Sequence, residues 1–136
     1  MEFTFHTQTP GERQRLHHAL LDFARAKKIP AKFLNAIDLA LEEHLTNIIS
    51  YGYANDRDHL INIRFSIARR VLKIEVTDTG KRFDLLAHPE PDLTVPAEKR
   101  AIGGLGIHMI KRSMDRLAYA RRGRRNTLTM FKKLTD

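Results

Sequence analysis

The chain has no cysteine. Disulfides and thiolate metal sites are therefore excluded, and the redox state of its compartment must be judged from other features. It has no apolar run of about 18 residues or more, so no segment reads as a membrane-spanning helix. The opening residues Met1 to His6 lack the basic stretch and apolar core of a secretory leader, and the cytoplasm is the expected compartment. Internal repeats and low-complexity tracts are missing too. What is present, 136 residues of which 42% are hydrophobic, fits a single domain over 1–136 with one core.

Charge of one sign is also scarce in half of the chain. Residues 1–60 carry seven Lys/Arg against eight Asp/Glu, whereas residues 61–136 carry seventeen against eight. Within 111–125 there are seven basic residues and one acid. Such a patch suits an anionic partner: a nucleotide, an acidic protein surface or a nucleic acid. A solvated basic face without a specific partner accounts for the charge equally well.

The spacing of apolar residues predicts one organising helix over about 31–51. At ~100° per residue, Leu34, Ile37, Leu41, Leu45 and Ile48 fall in one arc of roughly 80°, a core-facing stripe. Glu43 and Asn47 are four residues apart and share the flank of that arc, in line with Ala36 and Ala40. Glu42 and Thr46 take the far, solvated side. A half-buried carboxylate beside an amide could serve as a base and a metal ligand. It could equally be the polar boundary of an ordinary helix.

The rest reads in order. Phe3 and Phe5 alternate with polar residues as a weak first strand. Thr9-Pro10-Gly11-Glu12 has the order of a capping box, with Thr9 as the cap and Pro10 at the first helical position. The helix that follows carries Leu16, Leu20 and Phe23 on one stripe, and Pro30 opens the organising helix. His17 and His18 are adjacent, cannot share a helix face, and read as surface residues. Gly52 and Asn55 mark a turn. Ile61, Ile63, Phe65 and Ile67, then Leu72, Ile74 and Val76, alternate with polar residues as two strands of a hairpin turning at Ala68-Arg69-Arg70. Asp78 continues the second series onto the buried face, where an ionised carboxylate needs a donor from the protein or a ligand. The competing reading has Asp78 past the strand end, starting a turn with Thr79-Gly80. Residues 85–102 hold three prolines and few apolar residues, a long loop that reads as a lid. Gly103-Gly104-Leu105-Gly106 then opens a helix with Ile107, Ile110 and Met114 at helical spacing, a plausible phosphate seat without P-loop or dinucleotide features. Two closing strands, 117–121 and 127–131, flank a turn over Arg122–Asn126.

Taken in this order, the helical Glu-x-x-x-Asn, the hairpin ending in Asp-x-Gly, the long loop, the Gly-x-Gly helix and the final strand pair resemble the histidine-kinase-like (Bergerat) ATP-binding fold over roughly residues 10–133. Leu41-Glu42-Glu43-His44-Leu45-Thr46-Asn47, Asp78-Thr79-Gly80-Lys81-Arg82-Phe83-Asp84, Gly103-Gly104-Leu105-Gly106-Ile107 and the closing Asn126-Thr127-Leu128 most resemble its anti-sigma-factor serine/threonine kinase branch. Arg82 stands where some relatives have a second glycine, and Tyr51 where many have histidine. The resemblance implies an α+β, two-layer α/β sandwich with helices on one face of a mixed, mostly antiparallel sheet and a flexible ATP lid at about 85–102. It implies ATP (or ADP) and Mg²⁺, with Asn47 as the metal ligand and Glu43 as general base on a substrate hydroxyl. Asp78 would accept from the adenine amino group, and Gly80 would let the base lie against the backbone. Gly104 and Gly106 would seat the phosphates, with Ile107 and Phe83 also at the nucleotide and Thr127 on the adenine side. Lys99 or Arg100 would contact the γ-phosphate. The implied partners are an anti-anti-sigma-type antagonist protein, a sigma factor or other regulator, and a second copy of the chain.

The implied activity is serine/threonine phosphorylation of the antagonist; the alternative is a non-catalytic, nucleotide-dependent binding module. A nucleic-acid-binding domain is disfavoured because Tyr119 is the only aromatic within 111–125 and no recognition motif is visible. A self-phosphorylating histidine kinase is disfavoured because a single helix before the organising one is too little for a phosphoacceptor hairpin.

Overall fold

The computed structural model describes residues 1–87, 94, 96 and 104–135. The main elements are β1 (Glu2–His6), α1 (Glu12–Ala26), α2 (Leu34–Asn47), β2 (Leu60–Ala68), β3 (Val71–Asp78), α3 (Gly104–Ser113), β4 (Arg116–Arg122) and β5 (Arg125–Lys133). The strands form one sheet in the order β1-β2-β3-β5-β4, and each of its four pairings is antiparallel. The helices cover one face, giving the two-layer α+β architecture that the motif order implies.

Alternation fixes which face is covered. Phe3 and Phe5, Ile61, Ile63 and Phe65, Leu72, Ile74 and Val76, and Leu128 and Met130 point inward and are buried. Leu16, Leu20 and Phe23 of α1, Ile37, Leu41 and Leu45 of α2, and Ile107, Ile110 and Met114 of α3 close on them in one cluster. Each such side chain contributes about 1.5–3 kcal/mol of burial, which explains why the apolar pattern rather than local propensity sets the topology. The β2–β3 hairpin turns through Arg69 and Arg70, with φ of 52° and 60°. Both are left-handed, as a two-residue hairpin turn needs if its twist is to match the strands. No described helix is long and apolar enough to cross a membrane.

Helix α2 is preceded by a 3₁₀ turn at Ala31–Phe33 and followed by a wider π-type turn at Ile48–Gly52. The helical path therefore runs through the expected span. Two local expectations fail. Gly11, with φ 81°, precedes α1 without any side-chain cap, so the capping box does not form. A left-handed residue cannot lie inside a right-handed helix, so the helix begins only after it. Thr9 instead reaches Asp58 (3.4 Å). Glu12 accepts from the His6 N–H (2.8 Å) and from Arg15 Nε and Nη2 (2.7 and 2.8 Å), tying α1 to the end of β1. The second failure is at the start of the lid. Leu85 is 0% exposed and opens a 3₁₀ turn at Leu85–Ala87, so this end of the loop is anchored in the core. Most of the remaining loop, with Lys99, Arg100 and Gly103, lies outside the described residues.

The Glu12 anchor yields a prediction. The hydrogen bond from Arg15 chiefly, helped by the His6 N–H, lowers its pKa from 4.5 to about 2. A carboxyl depressed in the folded state stabilises above pH 4.5, and that contribution fades as pH falls toward 2. Glu12→Ala should cost about 1–3 kcal/mol in urea unfolding at neutral pH. The gap between the two proteins should narrow below pH 4.5; a gap independent of pH contradicts the assignment.

Candidate functional site

Asp78 is the last residue of β3, on its inner face, and is 5% exposed. Strand parity is obeyed, and the turn reading holds as well: Asp78 Oδ1 accepts the Gly80 N–H (2.8 Å). The same oxygen accepts Asn126 Nδ2 (3.0 Å) from the residue directly opposite on β5. Asn126, also 5% exposed, donates onward to the carbonyls of Gly80 (3.0 Å) and Lys81 (3.2 Å). Its Oδ1 accepts from Tyr119 Oη (2.6 Å) and Arg121 Nη1 (2.9 Å). Among the described residues no donor reaches Asp78 Oδ2. Burial pushes the Asp78 carboxyl above its usual value, against the Asn126 and Gly80 hydrogen bonds and the Arg121 charge. The carboxylate is thus oriented through Oδ1, and among the described residues Oδ2 receives no hydrogen bond.

Gly80 is required by what it touches. A Cβ there would lie 2.7 Å from the Gly52 carbonyl oxygen and 3.0 Å from its carbon. The π-type turn after α2 carries that carbonyl, which accepts the Lys81 N–H at 2.7 Å. The end of α2 and the Asp-x-Gly turn are in this way locked backbone to backbone.

Between them opens a recess lined by His44, Asn47, Ile48 and Gly52 from the α2 side, Asp78, Lys81 and Phe83 from the β3 end, and Tyr119, Asn126 and Leu128 from β4 and β5. The space between these side chains is about 350 Å³, a figure that includes open solvent at its mouth. Among the described residues, two of its side chains hold buried polar atoms with no partner: Nδ2 of Asn47, and both ring nitrogens of His44. Buried polar groups are otherwise almost always paired, so these orphans are what a polar ligand would satisfy.

Glu43 is half-buried, one helical turn before Asn47. Gly106 of α3 packs on it: a Cβ there would lie 2.7 Å from Glu43 Oε2 and 3.9 Å from Asn47 Oδ1. The first turn of α3, with its unpaired N–H groups, therefore adjoins Glu43 and Asn47. No cluster of three His, Asp or Glu exists among the described residues, so a cation would have few protein ligands. This fits Mg²⁺, which commonly binds through one or two protein oxygens plus substrate phosphates. Asn47 Oδ1, beside Gly106, is a side-chain oxygen of the kind it takes.

Of the expected binding residues, Asn47, Asp78 and Phe83 line the recess, Gly80 packs against Gly52 of its lining, and Glu43 and Gly106 stand together. Gly104 starts α3. Ile107 is 1% exposed, with its side chain packed in the core. Thr127 is a correction. It lies on the opposite face of β5, where its hydroxyl meets Thr77 Oγ1 at 3.1 Å; alternation gives the recess to Asn126 instead. Asn126 was expected in a turn, but the turn is confined to Gly123 and Arg124. His44 was also missed, although it lies seven residues after Ile37 and therefore on the buried arc.

Comparison with known proteins follows this geometry. The profile of the family described as "Histidine kinase-like ATPase domain" matches residues 7–132. The chain is 30% identical over 83 residues to the serine-protein kinase RsbW of Listeria monocytogenes, covering 58% of this chain and 53% of that one. It is 26% identical over 100 residues to the serine/threonine-protein kinase BtrW of Bordetella bronchiseptica, covering 74% and 70%. The chain spans about half the length of the first of these curated relatives. Among solved structures, the RsbU and RsbW domains of a Mycobacterium tuberculosis protein superpose with a TM-score of 0.68 over 98% of this chain and 31% of that one, at 15% identity. The histidine kinase AdeS of Acinetobacter baumannii gives 0.51 over 76% and 48%, at 17%.

The orphaned imidazole has a measurable consequence. Burial lowers the His44 pKa from 6.5 to about 4. Between those values the unfolded chain binds the extra proton, so folding stability falls as pH drops through the window, by up to about 3 kcal/mol. In urea unfolding from pH 7 to 4, His44→Leu should show a flatter decline than wild type. Parallel declines contradict a buried neutral ring.

Proposed function

The chain belongs to the histidine kinase-like ATPase domain family, and from that membership we propose that it binds ATP with Mg²⁺ in this recess and phosphorylates a serine or threonine of a small anti-anti-sigma-type antagonist protein. The observation that carries the reading is Asp78: a buried carboxylate fixed through Oδ1, with Oδ2 left to accept. The exocyclic amine of adenine is a donor that a carboxylate oxygen can take, and Phe83, Ile48 and Leu128 offer apolar surface to the rings.

The remaining assignments follow from adjacency. Asn47, through its side-chain oxygen Oδ1 near Gly106 at the start of α3, would hold Mg²⁺, which neutralises phosphate charge during transfer. The N–H groups at the start of α3 would donate to the phosphate oxygens. Arg100 would contact the γ-phosphate. Glu43 lies beside that helix start and would receive the proton as the substrate hydroxyl oxygen bonds to the γ-phosphorus and the bond to the ADP oxygen breaks. Phosphoryl transfer asks the protein for little besides positioning, charge and a nearby base. The names of the two kinases above support serine or threonine as acceptor. A sigma factor or other regulator as second partner, a homodimer and a cytoplasmic location belong to the same proposal.

The test is a phosphotransfer assay with Mg-ATP and candidate antagonists of this type. Phosphoserine or phosphothreonine should form on the antagonist, and Glu43→Gln should slow it by roughly 10²–10⁴ while nucleotide affinity holds within a few-fold. An unchanged rate removes Glu43 as the base. Nucleotide binding with transfer to no antagonist makes the chain a non-catalytic, nucleotide-dependent binding module.

A further inference from the structure

His44 has no task in the reading above, yet it is the most conspicuous unsatisfied group of the recess. It is 6% exposed, lines the recess together with Asn47 and Asp78, and finds no partner for Nδ1 or Nε2 among the described residues. A neutral imidazole carries one N–H donor and one acceptor, and leaving both unmet in the interior is costly. Packing does not call for the ring. Ile37 two turns earlier and Ile48 one turn later are buried apolar residues on the same side of the helical path, and an aliphatic residue would fill position 44 without that cost. Nor is the ring suited to hold phosphate as a cation, since burial keeps it uncharged near neutral pH.

The amide of Asn126 in the floor is committed. Asn126 spends its N–H groups on Asp78 and two carbonyls, and its oxygen on Tyr119 and Arg121. Beside Asp78, whose carboxylate accepts, the buried donors without a partner among the described residues are Asn47 Nδ2 and the His44 ring; Asn47 is already assigned to the metal in the reading above, so His44 is the donor left to read a flat ligand. Adenine presents the complement on adjoining positions, an exocyclic amine flanked by the acceptor nitrogens N1 and N7. We propose that His44 is a base-specificity residue, donating its imidazole N–H to the purine ring nitrogen beside the amine that Asp78 accepts. This rests on the reading of the recess as an ATP site and adds a second hydrogen bond to the recognition of the base.

Calorimetric titration of ATP, 1-deaza-ATP and 7-deaza-ATP into wild type and His44→Leu tests it. Wild type should bind one deaza analogue roughly tenfold more weakly than ATP. His44→Leu should lose about the same factor for ATP and bind that analogue and ATP within about twofold of each other. An ATP-to-analogue ratio that is the same in both proteins overturns the proposal, as does wild type binding all three alike. If wild type binds none of the three, the ATP-site reading fails and takes this proposal with it. Should His44→Leu not fold, ¹⁵N-imidazole NMR of wild type decides: ATP should shift the His44 ring nitrogens and the disfavoured analogue should not. Equal shifts with all three overturn it.

Discussion

The hydrogen bond from Asn126 to Asp78 across β3 and β5 is the constraint on which the site depends. It satisfies a carboxylate that strand parity forces inward, and it satisfies only one of its oxygens. Asn126 in turn is held by Tyr119 and Arg121 from β4, and Arg121 also reaches the Gly80 carbonyl (2.9 Å). Three strands therefore converge on one carboxyl group. A buried network of this kind fixes a single geometry because every member but one is satisfied. Among the described residues the one left open is Asp78 Oδ2, the oxygen that the proposed reading gives to the ligand.

Helix α2 supplies the opposite wall by serving two purposes. Ile37, Leu41 and Leu45 anchor it in the core, while His44 and Asn47 carry polar atoms into the recess without partners. A helix selected only for stability would place apolar side chains at both positions. The cost of two side chains without partners among the described residues is borne by the apolar stripe beside them, the balance expected of a candidate site built on a rigid element. The close approach of Gly80 to the Gly52 backbone and of Gly106 to Glu43 then fixes how the turn and α3 sit against that helix.

Much of this was legible in the sequence because periodicity reports burial. The alternation through Leu72, Ile74 and Val76 placed Asp78 inward, and the helical arc placed Glu43 and Asn47 on its flank. The same rules, applied one step further, would have found the rest. Asn126 shares parity with Leu128 and Met130, but its turn-forming chemistry and the neighbouring Gly123 suggested a longer loop. Thr127 was placed at the nucleotide by family resemblance, whereas the pleat turns it away. His44 lies on the arc of Ile37, but a polar residue among polar neighbours hides an inward position. The capping box failed for a local reason: Gly11 adopts a left-handed φ that sequence order alone does not reveal.

Titration of ATP with Mg²⁺ into wild type, Asp78→Asn and Asn126→Leu is the most direct test. Asp78→Asn alters the accepting group itself. Asn126→Leu leaves Asp78 chemically intact but removes the donor that orients it. The account predicts clear binding by wild type and a loss of about tenfold or more in each variant. Wild-type affinity in Asn126→Leu would contradict the claim that a fixed carboxylate is what recognises the base, and wild-type affinity in Asp78→Asn would contradict the site itself.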